Sequence, residues 1–150
     1  MRIGVPKEIK PNEYRVGLTP ASVQEYVAHG HAVDIETGAG LGIDADDDAY
    51  RAAGATVIGA AQDIFARADM IVKVKEPQAS ERAQLRAGQI LFTYLHLAAD
   101  REQSRGLLDS GVTAIAYETV TDEQGGLPLL APMSEVAGRL SIQAAAHCLE

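Results

Sequence analysis

Three side chains of this sequence, Arg15, Lys75 and His96, have types that together suit the binding and protonation of a small carboxylate. A guanidinium grips a carboxylate through two parallel hydrogen bonds, an ammonium adds a second positive contact, and an imidazole moves protons near neutral pH. Each residue also has an ordinary interpretation: a surface loop arginine, a solvated strand end and a neutral core histidine. The residue types alone leave both interpretations open.

Each of these three residues follows, or ends, a run that predicts a β-strand. In chain order the runs are Arg2–Val5 ("RIGV"), Met70–Lys75 ("MIVKVK") and Gln89–Leu95 ("QILFTYL"). The carboxyl ends of parallel strands share one edge of the sheet, and ligands bind in the crevice outside that edge. The common position therefore favours one shared site over three unrelated residues.

Strands and helices are predicted to alternate along the whole chain, which is typical of an α/β fold. The expected architecture is a doubly wound, largely parallel sheet with helices on both faces, as in Rossmann-like and flavodoxin-like domains. The other predicted strands are Ala32–Glu36, Ala55–Ile58 and Thr113–Glu118. The predicted helices are Pro20 to about His29, Asp46–Ala53, about Ala60–Ala68, Ser80 to about Ala87, Asp100–Ser110, and one from Ser134 onwards.

The predicted helix ends rest on capping residues. Thr19, Asp100, Ser80 and Ser134 are all residue types that accept a hydrogen bond from the first helical turn, so each is predicted as an N-cap. Gly111 fits the left-handed position after a helix. The expected boundaries follow from these five positions.

The segment Ile35–Asp48 ("IETGAGLGIDADDD") resembles at first the glycine-rich fingerprint of a dinucleotide site. Gly38 and Gly40 fit the G-x-G-x-x-G pattern, but Ile43 stands where the third glycine belongs. The next helix then opens with three aspartates, which would repel a pyrophosphate. We interpret the loop as a tight turn.

Composition excludes several classes of protein. The formal net charge of −8 over 150 residues is a poor match for nucleic acid, whose phosphates need a basic footprint. Cys148 is the only cysteine, which excludes an intrachain disulfide and is compatible with a reducing cytoplasm. No apolar run approaches the ~18–20 residues that a membrane span needs. No cluster of His, Cys and Asp has the spacing of metal ligands, so we expect no metal.

Four segments in order, "MRIGVPKEIKPNEYRVGLTP", "VKVKEP", "LFTYLHLAAD" and "LAPMSEVAGRL", resemble the N-terminal part of the alanine dehydrogenase and nicotinamide nucleotide transhydrogenase family. The resemblance extends over essentially the whole chain. Lys75 and His96 match the dehydrogenase branch, because transhydrogenases typically depart from the pattern at these two positions. The alternatives are a nucleotide-binding domain of a proton-translocating transhydrogenase and a non-catalytic binding module.

The resemblance implies a function and roles for particular residues. It implies reversible oxidative deamination of L-alanine to pyruvate and ammonium with NAD as cofactor. Arg15 and Lys75 would bind the substrate carboxylate, His96 would be the acid–base catalyst, and Ser134 would contact the nicotinamide cofactor.

The resemblance also implies a domain organisation and an assembly. Residues 1–132 would form the substrate-binding (catalytic) domain, and residues 133–150 would begin an interdomain helix leading to an NAD-binding Rossmann domain that this chain lacks. The 150 residues alone would then be inactive. The family implies a cytoplasmic homohexamer.

Overall fold

The computed structural model describes residues 1–149, which divide into two compact units. The first unit is Met1–Ile115, and the second begins at Ala116. Arg15, Lys75 and His96 belong to the first unit and Ser134 to the second. The two units are described separately.

Six strands form the sheet of this protein. They are β1 (Arg2–Val5), β2 (Ala32–Glu36), β3 (Thr56–Ile58), β4 (Met70–Val72), β5 (Ile90–Thr93) and β6 (Thr113–Ala116). The strand order is β3-β2-β1-β4-β5-β6, and the pairs β2–β3, β1–β2, β1–β4 and β4–β5 are parallel. This is the Rossmann strand order, so the predicted α/β fold class is confirmed.

The helices alternate with the strands as predicted. They are α1 (Pro20–Ala28), α2 (Asp47–Ala52), α3 (Ala61–Arg67), α4 (Ala79–Arg82), α5 (Arg101–Ser110) and α6 (Ala131–Cys148). None of the helices within residues 1–149 is both long and apolar enough to cross a lipid bilayer.

The centre of the core is formed by β1 and β2. Ile3, Val5 and Ile35 are fully inaccessible to solvent, and Val33 is 2% exposed. Strands of a parallel sheet are covered on both faces, which explains why these runs are almost continuously apolar. The exception in β2 is Asp34, whose buried carboxylate accepts hydrogen bonds from Arg2 Nη1 at 3.0 and 3.1 Å.

The fourth strand is shorter than predicted, because it ends at Val72 instead of Lys75. The N–H of Val74 donates to the Glu8 carboxylate at 2.7 Å, so a side chain takes the place that a neighbouring strand would fill. β5 and β6 also end before their predicted limits. The pattern of apolar residues cannot show that a side chain, and not a neighbouring strand, accepts this backbone hydrogen bond.

The prediction of Ser80 as an N-cap is wrong. α4 is capped by Gln78, whose N–H donates to Glu81 Oε2 at 2.8 Å in a reciprocal capping box. The helix ends at Arg82, well before Ala87, because the following bonds, such as Leu85 N–H to the Arg82 carbonyl, span only three residues. The segment continues as tight turns.

The prediction of Ser134 as an N-cap is also wrong. α6 already begins at Ala131, and Pro132 lies in its first turn. Proline is tolerated there because the first N–H groups of a helix have no carbonyl partner within it. The Ser134 hydroxyl donates instead to the Leu130 carbonyl at 3.4 Å, one turn earlier in the helix.

The glycine-containing loop after β2 is a tight turn, as interpreted from the sequence. Gly38 has a left-handed φ of 69°, and its N–H donates to the Asp47 carboxylate at 2.8 Å. The Thr37 hydroxyl donates to the same carboxylate at 2.6 Å. Donors that a phosphate would need are therefore already bound to an aspartate of the chain.

Two glycines hold the long loop between β1 and α1 against its neighbours. A Cβ on Gly17 would lie 2.6 Å from the Val72 carbonyl oxygen, at the end of β4. A Cβ on Gly42 would collide with the backbone of Tyr14. Backbone approaches this close require glycine, so the two contacts fix the loop that carries Arg15.

Substituting Gly17 by Ala should destabilise the protein. The new methyl group would meet backbone atoms of Val72 that cannot rotate away, and overpacking of this kind costs about 1–3 kcal/mol. Gly59→Ala is the matched control, because a Cβ there has no neighbour within 4 Å. Urea unfolding of both variants measures the difference, and equal midpoints would contradict the close packing at Gly17.

Candidate active site

The three residues predicted from strand ends lie at the carboxyl edge of the sheet's central strands. Arg15 follows β1, Lys75 follows β4 and His96 follows β5, and these strands are neighbours in the sheet. The strand order reverses between β1 and β4. Such a switch point is where ligands bind in open α/β sheets.

A buried cluster of charges lies directly below this edge. The Lys73 ammonium is 2.8 Å from Glu81 Oε1 and 3.2 Å from Glu8 Oε2. The side chains are 1% exposed for Lys73, 3% for Glu8 and 5% for Glu81. A lysine this deep requires paired carboxylates, since an isolated buried charge is very costly.

Glu8 also binds the main chain that leads to Lys75. Its carboxylate accepts the Val74 N–H at 2.7 Å and, more weakly, the Lys75 N–H at 3.4 Å. Burial raises the pKa of Glu8, and the charge and hydrogen bonds of Lys73 and Val74 only partly oppose this shift. The loop after β1 thereby fixes the segment after β4.

Lys75 is held through its backbone from the other side as well. The Thr93 hydroxyl donates to the Lys75 carbonyl at 2.9 Å, and the Tyr94 N–H donates to the Val74 carbonyl at 3.2 Å. Lys75 itself is half-buried. Its backbone is therefore fixed between the loop after β1 and the end of β5.

Arg15 forms a two-pronged ion pair with Glu13. Arg15 Nε donates to Glu13 Oε1 at 2.8 Å and Nη2 donates to Oε2 at 2.6 Å. These hydrogen bonds lower the pKa of Glu13 and raise that of Arg15. Arg15 also lines an open cleft of ≈ 380 Å³ between its own loop and the turn that contains Gly38 and Gly42.

His96 has an unusual backbone conformation. Its φ of 51° and ψ of 38° lie in the left-handed region, and its side chain is exposed. The residue before it is fixed, because buried Gln103 donates from Nε2 to the Leu95 carbonyl at 2.5 Å. Non-glycine residues in this region cluster at functional sites, where the surrounding structure enforces the strain.

The side chains around His96 connect it to the other two candidates. Its ring stacks on Tyr94 with centroids 6.1 Å apart and planes inclined by 19°. The Tyr94 N–H donates to the Val74 carbonyl next to Lys75 at 3.2 Å, and the charge of Lys75 contributes to the lowered pKa of Glu13, the partner of Arg15. The first unit therefore brings Arg15, Lys75 and His96 to one region.

Glu76 adds a carboxylate to the same region. Burial by itself raises its pKa, but the hydrogen bond from Lys10, a backbone hydrogen bond and the charges of Lys10 and His96 together outweigh burial, so the pKa is lowered. Glu76 Oε2 is buried and accepts no hydrogen bond from the described residues.

Ser134 belongs to the second compact unit. It occupies the first turns of α6, where its hydroxyl donates to the Leu130 carbonyl. Its predicted contact with a cofactor therefore remains a prediction.

Six acidic or basic residues of this region were not selected from the sequence as site residues: Glu8, Lys10, Glu13, Lys73, Glu76 and Glu81. Lys73 carried a usable signal, because a lysine inside an apolar strand run needs buried acidic partners. Nothing in the sequence indicates which of the chain's 21 acidic residues supply them. Glu8 lies 65 residues from Lys73 along the chain, and Glu81 lies on a different element, α4.

A Rossmann-ordered sheet with cationic side chains at its switch point defines an α/β domain suited to a small anionic ligand. Residues 4–137 match the family model "Alanine dehydrogenase/PNT, N-terminal domain", and the chain belongs to this family.

Curated relatives extend the similarity over the whole chain. The alanine dehydrogenase of Halomonas elongata is 57% identical over 150 residues, and that of Mycobacterium tuberculosis is 56% identical over 149 residues. The alignments cover 100% and 99% of this chain but 40% of each relative. The chain thus spans about two fifths of the length of these relatives.

Solved structures agree with this assignment. An L-alanine dehydrogenase superposes with a TM-score of 0.91 at 54% identity, covering 98% of this chain and 40% of that one. A transhydrogenase from Sinorhizobium meliloti superposes with a TM-score of 0.74 at 35% identity, covering 79% of this chain and 35% of that one. The transhydrogenase is the more distant of the two.

Replacing Lys73 by Met should destabilise the protein severely. The substitution leaves Glu8 and Glu81 buried without their cation, and breaking a buried pair in this way costs about 3–5 kcal/mol. Lys7→Met provides the control, because Lys7 is exposed. Denaturant unfolding compares the variants, and a loss for Lys73→Met no larger than the control's would refute the proposed importance of the cluster.

Glu8 should make stability depend on pH in a defined direction. Its folded pKa is raised above 4.5, so the folded state keeps a proton that the unfolded state releases. The stability that Glu8 contributes is present below pH 4.5 and is lost as the pH rises through its folded pKa. The difference in unfolding free energy, wild type minus Glu8→Gln, should therefore fall as the pH increases.

Glu25→Gln is the control for this measurement, since the Glu25 side chain is 76% exposed. Its difference from wild type should vary little over the same pH range. A Glu8 difference that grows with pH would mean that the pKa of Glu8 is lowered instead.

Proposed function

We propose that this chain is the substrate-binding part of an NAD-dependent alanine dehydrogenase, which converts L-alanine reversibly to pyruvate and ammonium. The observation that carries the proposal is 57% identity to an alanine dehydrogenase across all 150 residues. The transhydrogenase structure reaches 35% identity over 79% of the chain. The cationic switch-point edge is consistent with a substrate whose carboxylate is its strongest binding group.

Arg15 and Lys75 are the proposed ligands of the substrate carboxylate. A guanidinium supplies a planar pair of donors and an ammonium supplies a point charge, so together they fix both the position and the orientation of a carboxylate. Fixing the carboxylate also fixes the reacting carbon next to it. Such positioning can lower the activation barrier by up to about 7–11 kcal/mol.

His96 is the proposed acid–base catalyst. In the deamination direction it would take a proton from the water that adds to the substrate imine, and it would return one to the departing amine. In the amination direction, protonated His96 would polarise the pyruvate carbonyl. Proton transfer by a positioned side chain typically contributes about 10²–10⁴-fold to the rate.

NAD supplies the hydride acceptor for this reaction, but the turn after β2 does not fit a dinucleotide. The Gly38 N–H is bound to Asp47, and three consecutive carboxylates open the next helix. We propose that residues 1–132 form the substrate-binding domain and that residues 133–150 begin a helix leading to an NAD-binding Rossmann domain of the complete protein. Ser134 is the proposed cofactor contact of this chain.

The proposed assembly is a homohexamer, and the proposed location is the cytoplasm. Both rest on the family resemblance. The proposed physiological role is alanine catabolism.

A second candidate function is a transhydrogenase domain. The family model covers both branches, and the Sinorhizobium meliloti structure shares the fold over most of the chain. Hydride transfer between two nucleotides needs no carboxylate-binding pair. Lys75 and His96, which transhydrogenases typically lack, favour the dehydrogenase.

The complete protein should form NADH from NAD only when L-alanine is added, as followed by absorbance. His96→Ala should lower kcat by about 10²–10⁴-fold with little change in cofactor binding. The control is His29→Ala, because His29 is an exposed residue at the C-terminal end of α1. Its side chain pairs with Glu25 of the same helix. Hydride exchange between nucleotides without alanine-dependent NADH formation would support the transhydrogenase instead.

A further inference from the structure

Glu13 is a nearly buried carboxylate that is bound by a single residue in three places. It accepts the Arg15 backbone N–H at 2.9 Å, Arg15 Nε at 2.8 Å and Arg15 Nη2 at 2.6 Å. The Glu13 side chain is 5% exposed, whereas that of Arg15 is 46% exposed. A buried acid thus holds a half-exposed base by both its backbone and its side chain.

A turn in the loop immediately precedes Glu13. The Glu13 N–H donates to the Lys10 carbonyl at 3.2 Å, which closes a turn, and Asn12 within that turn has a left-handed φ of 65°. Asparagine is among the few side chains that tolerate this conformation. Asparagine at position 12 therefore lets the chain turn immediately before Glu13.

We propose that Glu13 is a positioning residue that orients the Arg15 guanidinium for the substrate carboxylate. The inference rests on the proposed function, in which Arg15 binds that carboxylate. A half-exposed arginine populates many rotamers, and ordering them on binding weakens affinity. Glu13 removes that penalty by holding the side chain in one rotamer before the substrate arrives.

The fork fixes one edge of the Arg15 guanidinium. Glu13 occupies the Nε–Nη2 edge. A guanidinium carries its five N–H donors in one plane, so a carboxylate that fixes one edge also fixes the plane that a second carboxylate meets. Arg15 can therefore join a fixed acid of the protein to an acid of the substrate.

Glu13 also sets the local charge. Arg15 and Lys75 carry two positive charges, and both interact with Glu13. Neutralising Glu13 would therefore remove an acid that faces both cations. Because charge and geometry would both change on neutralising Glu13, Glu13→Asp is the sharper variant: it keeps the charge and shortens the side chain.

The experiment is a four-protein cycle in the complete enzyme: wild type, Glu13→Asp, Arg15→Lys and the double variant. Glu13→Asp should raise the KM for pyruvate about tenfold, the effect of losing one charge-assisted hydrogen bond, while kcat changes less than about threefold. The KM for NADH should stay within about twofold of wild type. In the Arg15→Lys background Glu13→Asp should change the KM for pyruvate by less than about twofold, because no fork remains to orient.

Two results would overturn the inference. One is an unchanged KM for pyruvate in Glu13→Asp. The other is an equal increase in the KM for pyruvate when Glu13→Asp is introduced into wild type and into Arg15→Lys. That result would indicate general damage to the loop. A variant too slow for a reliable KM is scored by calorimetric binding of pyruvate in the presence of NADH without ammonium. Glu25→Asp is the control for a glutamate shortened on an exposed helix.

The proposed function and the role of Glu13 fail in different ways. Wild type without alanine-dependent NADH formation defeats the function, whereas an active wild type with an indifferent Glu13→Asp defeats the role of Glu13. If Glu13→Asp does not fold, Glu13→Gln enters the same cycle. Its amide NH₂ would oppose Arg15 Nη2, donor against donor, so its effect on the KM for pyruvate should also disappear in the Arg15→Lys background.

Discussion

The ion pairs of the buried Lys73 ammonium with Glu8 and Glu81 are the interactions on which the rest of the first unit depends. The two carboxylates come from the loop after β1 and from α4, so one charge joins three segments that are separated in sequence. Removing such ions from water costs several kcal/mol each, and the attraction between them offsets this cost only in well-formed geometry. The cluster therefore contributes fixed geometry at the sheet edge more than net stability.

That geometry passes from the core to the candidate site through Glu8. Glu8 pairs with Lys73 by charge and with the Val74 N–H by a hydrogen bond, so the end of β4 cannot move independently of the loop after β1. Gly17 holds the same loop against the Val72 carbonyl. Arg15 and Lys75 thus project from two segments that are fixed to each other, at the point where the strand order reverses.

Sequence reasoning succeeded where local chemistry decides the structure. Thr19 followed by Pro20 starts α1, and Asp100 and Gly111 bound α5, because caps act within one helical turn. It failed at Ser80 and Ser134, where other residues started the helices earlier. Serine is permitted at an N-cap and also inside a helix, so its presence does not fix a boundary.

The sequence by itself determined the α/β alternation, the tight turn after β2 and the placement of Arg15, Lys75 and His96 after strands. These follow from hydrophobic period and turn chemistry, which act over a few residues. Only the tertiary structure decided that Lys73 is buried between Glu8 and Glu81 and that β4 ends early. Those outcomes depend on pairings between residues far apart in the chain, and burial selects the partners.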